Sequence, residues 1–439
     1  MTGNGSVRRT LIRDLKERIG KQVEIAGRLM ARRGHGGVTF LDLGDRTGQV
    51  QLVLGEGGDA PPVQSIVVCR GEVVAQDRAP GGVEVKRGEV EVLARPDERS
   101  DFDPFSLPSP CTGEGPGIEV LLDRRELSLR SPAHSAIARI SSEVLRAVAG
   151  YLRRLDFVEI KTPKIVLAGA EGGAGMFEVK YFERTAFLAQ SPQLYKQAMA
   201  STPLERVFEI GPVFRAEKHA TGRHLNEFVG IDVEMAFPEG LGEVMDTAAG
   251  LLRSAVEHLA EACRHDLKTL GTSLPAVPER IPVLDLESAK EIATGFKPSR
   301  ANPAEDLAPE DERRICEWAR EHHASDAVLV HSYPLRSRPF YTQPSTRRGR
   351  SESFDLLLRG LELSSGGLRI HDVSQLEISL ELKGIESSTL EPYLRVFRAG
   401  CPPHGGFGIG LERLVQKLLD LPNVRYASLF PRDRMRLEP

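Results

Sequence analysis

At 439 residues, with 40% hydrophobic and 27% charged side chains and a net charge of −4, the chain has room for one small and one large domain and is neither collagen-like nor wholly disordered. No uncharged apolar run approaches the ~20 residues that cross a bilayer, and the polar start Met1-Thr2-Gly3-Asn4-Gly5 is unlike a secretion signal, so a cytoplasmic address with no membrane partner is expected. Five cysteines (Cys69, Cys111, Cys263, Cys316, Cys401), without CxxC or Cys/His spacing, argue against a disulfide framework or a zinc site.

The charge is unevenly spread: residues 1 to 53 carry ten Lys/Arg against five Asp/Glu, a local +5 that leaves −9 for the remainder. This suits a bound polyanion, and equally a solvated basic surface. After a short helical stretch near Leu11 to Ile19, the pairs Val23/Ile25, Val38/Phe40, Val50/Leu52, Ile66/Val68, Val83/Val85 and Val90/Val92 alternate as half-buried strands do. About five short strands in this space predict a small closed barrel, and the nucleic-acid-binding OB-fold is the commonest design of that size. Residues 1–100 are expected as this barrel. Residues 101–131, rich in proline and glycine between Pro104 and Gly117, are expected as a hinge.

A larger domain is expected over 132–439. Ser131-Pro132 has the form of an N-cap and first turn, and Ile137, Ile140, Val144, Leu145, Val148 and Leu152 recur at helical spacing. Residues from about 238 to 330 read as an insertion: Gly240 to Leu270 is helical, a polar Pro-rich segment follows, and a second helix runs near Glu310 to His322.

Two segments could carry chemistry. Phe208 to Phe214 and Ile231 to Met235 alternate about a charged turn, a hairpin whose tip presents Arg215, Glu217, Arg223 and His224. Gly405-Gly406-Phe407-Gly408-Ile409-Gly410 runs into a helix starting Leu411-Glu412-Arg413, where glycines let a ligand lie against the backbone. Two such arginines suit a nucleoside triphosphate, because phosphate matches the planar donor fork of guanidinium. Neither a Walker sequence nor a GxGxxG followed by a βαβ unit is present. Each segment alone also reads as a hairpin salt bridge or a tightly packed strand.

Together these segments resemble class II aminoacyl-tRNA synthetases with an N-terminal OB-fold, most closely the aspartyl-tRNA synthetases of archaeal type. Phe157 to Pro163 is similar to the class's first motif, Phe208 to Phe237 to its second and Gly406 to Arg413 to its third. Ser191 to Gln197, Tyr333 to Thr342, Gly360 to Arg369 and Leu429 to Asp433 are similar to the aspartyl pattern. The resemblance implies an α+β catalytic domain built on an antiparallel sheet flanked by helices. It also implies a homodimer that joins L-aspartate to tRNA(Asp) with ATP and Mg2+, with tRNA(Asn) left open as a second acceptor. By the same resemblance Arg215 and Arg413 are catalytic. Glu217, Arg223, His224, Phe228, Glu362 and Gly410 complete the ATP site, and Glu362 and Ser365 hold magnesium. Glu171, Gln193, Lys196, Asp232, Ser365 and Arg369 bind aspartate, with Lys196 and Arg369 on its side chain, and Phe40 and Gln51 contact the anticodon. Two cations in a closed pocket match a β-carboxylate, whereas asparagine would leave buried charge unmatched at about 2–5 kcal/mol. An asparaginyl enzyme and an inactive tRNA-binding paralogue are the alternatives. Gly44 and Leu368 depart from the family pattern, as do the Arg32 to His35 loop and Ala170.

Overall fold

The computed structural model describes residues 9–35, 37–54, 60–97, 101–167, 175–217, 221–295 and 305–438, the side chains of 87 and 88 excepted. The chain divides into two compact units, Met1–Ser106 and Leu107–Pro439.

In the first unit, β1 (Gln22–His35), β2 (Val38–Asp45), β3 (Gly48–Leu54), β4 (Ile66–Ala75) and β5 (Val83–Ala94) close into a barrel in the order β1-β2-β3-β5-β4. The alternation read from sequence fills it: Leu41, Leu43, Val50, Leu52, Val67 and Cys69 pack inward. The stretch near Leu11 to Ile19 is a 3-10 helix, Ile12–Arg18, whose Ile12 and Leu15 join this core. Gly27 permits a close crossing, since a Cβ there would overlap the Gly44 carbonyl oxygen. At Gly44 itself a side chain would displace the Met30 sulfur.

The second unit opens with α1 (Ile118–Leu122) and α2 (Arg125–Ser128), within the stretch expected as a hinge. From Leu107 onward that stretch belongs to the second unit. Ser109 Oγ donates to the Leu270 carbonyl at 2.7 Å, and the buried Arg125 donates to the carbonyls of Ser428 and Leu429 at 2.6 and 2.8 Å. Proline and glycine mark irregular backbone here, but irregular backbone that is anchored. α3 (Pro132–Arg154) follows, burying Ile137, Ile140, Val144, Val148 and Leu152. Leu145, one residue off that stripe, is half-buried. Ser131 precedes the helix without capping it by its side chain.

β6 (Val158–Glu159) leads to a small sheet of β7 (Ile165–Val166), β8 (Glu178–Tyr181) and β9 (Arg184–Leu188), ordered β7-β9-β8. α4 (Gln193–Ala200) precedes the hairpin of β10 (Arg206–Phe214) and β11 (Glu227–Ala236). α5 (Leu241–Ala262), α6 (Arg264–Leu270), β12 (Val283–Asp285), α7 (Leu286–Thr294), α8 (Pro309–His323) and β13 (Ala327–His331) come next. They are followed by β14 (Ser353–Leu358), β15 (Leu361–Leu368), α9 (Val373–Leu382), α10 (Glu391–Arg398), β16 (His404–Gly410) and α11 (Leu411–Leu419). Eight strands form one sheet in the order β12-β13-β14-β15-β16-β11-β10-β6.

Two expectations change here. The sheet is antiparallel only in its middle: β12 with β13 and β6 with β10 pair in parallel, each across a long crossover that side-chain alternation does not reveal. The stretch 238–330, read from sequence as an insertion, is continuous with the main sheet. It supplies β12 and β13 to the sheet, and α5, which with α11 lies on the sheet while α3 packs across both. Its polar segment had masked a two-strand contribution. None of the described helices is long and apolar enough to cross a membrane.

Candidate active site

A cavity of about 380 Å³ opens on the sheet face that carries Phe228, Gly230 and Asp232 of β11. Opposite them in register stand Gly410, Gly408 and, beside Glu234, Gly406 of β16. The glycines make room for the acids: a Cβ on Gly406 would overlap the Glu234 carboxylate and the Val233 carbonyl. The sequence pairing of a charged hairpin with a glycine-rich strand is therefore one surface.

At one end the cavity is walled by Arg215, Glu217, Arg223, His224, Phe228, Glu362, Gly410 and Arg413, so all eight residues expected at the nucleotide share one space. Asn226 pins the chain that carries the first two. Its Nδ2 donates to the Arg215 and Glu217 carbonyls at 2.7 and 3.3 Å, and its carbonyl accepts from the Arg215 N–H at 2.9 Å. The Arg215 guanidinium lies 5.5 Å from the Phe228 ring centroid. Arg413 reaches over from α11 and donates to the Glu362 and Arg223 carbonyls at 3.1 and 3.4 Å. Burial lowers its pKa, with Arg215 and Arg223 adding to the shift and Glu362 opposing it. Glu362 is pushed up to about 7, first by burial and next by Asp355. Glu412, on the same wall, is pushed up to about 7 by burial although both its oxygens accept from the Val229 N–H.

The other end is lined by Gln193, Asp232, Ser365 and Arg369. Arg369 is fixed from behind: Nε and Nη2 donate to the two Glu234 oxygens at 2.9 and 3.3 Å, and Nη2 to the Gly406 carbonyl at 2.9 Å. Its Nη1 has no partner among the described residues, and the Tyr341 ring lies 5.3 Å from the guanidinium. Burial works against the Glu234 carboxylate, but Arg369 and Lys196 outweigh it and hold its pKa below the ordinary value. Gln193 is buried with Nε2 lacking a partner, a donor available to a ligand.

Lys196 stands differently from the expectation. Its Nζ is 3.2 Å from Asp232, 3.3 Å from Glu234, and donates to the Phe407 and Val233 carbonyls at 3.0 and 3.3 Å. At 1% exposure it lies under the cavity floor, not on it. Two acidic neighbours drew it down, and sequence spacing could not foresee them. Glu171 lies outside the described residues. Arg338 was passed over although it sits in the Tyr333 to Thr342 segment. It lines the cavity, pairs with both Asp355 oxygens at 3.0 and 2.8 Å and donates to Ser365 Oγ at 3.0 Å.

On the barrel, Phe40 and Gln51 lie on the outer face, alternating with the inward Leu41 and Leu52. Phe40 is opposite Arg33 and Val53, and Gln51 is opposite Asp42. Gln51 Nε2 donates to Glu84 at 2.9 Å, and Arg33 to both Asp42 oxygens at 2.7 and 2.8 Å. An outward half-buried ring amid exchangeable polar groups can receive a stacked base.

Residues 117–434 match the family model of tRNA synthetases class II (D, K and N), and 23–93 that of the OB-fold nucleic acid binding domain. An aspartate–tRNA(Asp/Asn) ligase of Thermus thermophilus is 46% identical over 432 residues, 98% of this chain and all of its own. An aspartate–tRNA(Asp) ligase of Pyrococcus horikoshii is 39% identical over 96% of this chain and 97% of its own. Among solved structures, the asparaginyl-tRNA synthetase of Pyrococcus horikoshii bound to asparaginyl-adenylate superposes with a TM-score of 0.87 at 30% identity, covering 99% of this chain and 100% of that one. An aspartyl-tRNA synthetase of Entamoeba histolytica does so at 0.86 and 29%, covering 99% and 94%.

Proposed function

The chain belongs to the class II tRNA synthetases of the D, K and N family, and from that premise we propose that it is an aspartate–tRNA ligase. The observation that carries this reading is a fixed guanidinium with a free edge, Arg369, at one end of a cavity whose other end holds Arg215 and Arg413. The aspartate α-carboxylate, ionised at neutral pH, attacks the α-phosphorus of ATP. An O–P bond forms, the bond to the β-phosphate oxygen breaks, and pyrophosphate leaves.

Arg215 neutralises the charge gathering on the α-phosphate, Arg413 holds the far phosphate, and Glu217 and Phe228 hold adenine. Arg369 pairs with the β-carboxylate, and Gln193 and Asp232 receive the backbone groups of the amino acid. Lys196 acts from below, helping to hold the Glu234 carboxyl ionised and pairing with Asp232. In the second stage the 3′-hydroxyl of the tRNA attacks the carbonyl carbon of the mixed anhydride, the C–O bond to phosphate breaks, and AMP leaves with the hydroxyl proton on its phosphate. Magnesium fits beside Glu362 and Ser365: burial and Asp355 push the Glu362 carboxyl up to about 7 even with Arg413 and Arg338 nearby, and Ser365 is exposed to the cavity. When bound, the ion would screen the phosphate oxygens.

Val158, Ile165, Leu167, Phe177, Tyr181 and Phe182 are exposed along β6 to β9, an apolar strip that suits a second copy of the chain. Amino-acid-dependent exchange of pyrophosphate into ATP tests the substrate. Aspartate should support exchange and asparagine and lysine should not; exchange driven by asparagine would turn the reading to the asparaginyl enzyme. The Thermus relative is a ligase for tRNA(Asp/Asn), and charging of the two purified tRNAs separates the narrow from the broad acceptor range.

A further inference from the structure

We propose that Glu312, in the first turn of α8, makes nucleotide binding depend on a bound divalent cation: its carboxylate engages Arg223 and repels a triphosphate that arrives without metal. The inference rests on reading the cavity as an ATP site.

Glu312 comes from the stretch that sequence left as an insertion, and α8 carries it to the edge of the phosphate end. There it is 7% exposed. Its Oε2 lies 3.6 Å from Arg223 Nη1 and accepts from the Glu362 backbone N–H at 3.3 Å. The second contact needs only an acceptor, which a glutamine would supply equally well. The negative charge is the surplus, and it faces the guanidinium groups that the phosphates would occupy.

The local charge explains what that surplus does. Asp355 is committed to Arg338 through two hydrogen bonds, so that pair is neutral. Around Arg413 stand Arg215 and Arg223 on one side of the balance, Glu362 and Glu312 on the other. The same end also carries Glu217, so carboxylates offset much of the guanidinium charge before a ligand with about four negative charges arrives. A divalent cation halves the ligand's charge and is itself attracted to the Glu362 and Glu312 carboxylates. Glu312 thus opposes bare ATP about twice as strongly, on a logarithmic scale, as it opposes the metal complex. This is selection by a repulsive element.

The test is equilibrium titration of the full-length protein with ATP, once in excess EDTA and once in excess Mg2+. Wild type is compared with Glu312→Gln and Glu312→Asp. In Glu312→Gln, affinity for metal-free ATP should rise about tenfold and for magnesium-loaded ATP about threefold, narrowing the gap between the two conditions. Glu312→Asp, which keeps the charge, should retain the wild-type gap. Glu312→Ala read in the same way serves if the glutamine variant does not fold. Equal changes in both conditions, or weaker binding in both, would overturn the proposal and leave Glu312 a structural acceptor. Wild-type protein that binds no ATP even with magnesium would overturn the nucleotide reading itself.

Discussion

The two ends of the cavity are built on opposite electrostatic terms. At the amino-acid end every buried charge has its partner already: Arg369 is clamped by Glu234, and Lys196 lies between Asp232 and Glu234. At the phosphate end the charges are strained, with Glu362 raised to about 7 and Arg413 lowered by burial among other arginines. In the proposed reading the first end is charge-matched before substrate arrives and discriminates by shape and charge. The second is completed by its ligand. A small dicarboxylate must be told from its amide, which calls for fixed groups, whereas a triphosphate brings enough charge to organise its own site.

The comparison breaks most visibly if the amino-acid end is not charge-matched. Glu234→Gln leaves Arg369 without a carboxylate partner and Lys196 with Asp232 alone, and the fold should lose about 3–5 kcal/mol in urea unfolding. The chain's one tryptophan, Trp318, lies in the second unit and reports it. A change under ~1 kcal/mol would mean that the cluster is solvated.

The strained end is sharpened by pH. Glu412 has its carboxyl raised from the ordinary range to about 7. Below about 4.5 it is protonated folded or unfolded and contributes nothing. Between about 4.5 and 7 the unfolded chain ionises first, so stability falls as pH rises, and above 7 the loss is complete. Glu412→Gln retains an acceptor for the Val229 N–H and should remove this slope. It should be more stable than wild type by roughly 2–3 kcal/mol at pH 8 and about equal to it at pH 4.5. A slope unchanged in the variant would assign it to another group.

The smallest of these effects lies in the barrel. Phe40→Ala should weaken tRNA charging by about 1–3 kcal/mol through KM, and leave aspartate-dependent pyrophosphate exchange as in wild type. Equal loss of both would deny the division of labour between the two units.

Much of this architecture was legible in the sequence because it rests on local periodicity. Leu41/Leu43 and Val50/Leu52 alternate and line a barrel; Ile137, Ile140, Val144 and Val148 recur every three or four residues and bury one face of α3. That the residues expected at the nucleotide share one cavity was legible because two short motifs hold most of them. What escaped depended on contacts across the chain. No local pattern pairs β12 with β13, anchors Arg125 under residues 426 to 429, or brings Glu312 to Arg223. Lys196 was the subtler case. Its Nζ turns toward Asp232 and toward Glu234, two residues further along the same face of β11.

The account stands most directly on Arg215. Aspartate-dependent pyrophosphate exchange by Arg215→Ala, with the Trp318 unfolding transition unchanged, should fall by at least ~100-fold, the loss expected when a preorganised donor to a developing charge is removed. Exchange at the wild-type rate in that folded variant would contradict the assignment of this cavity to adenylate formation.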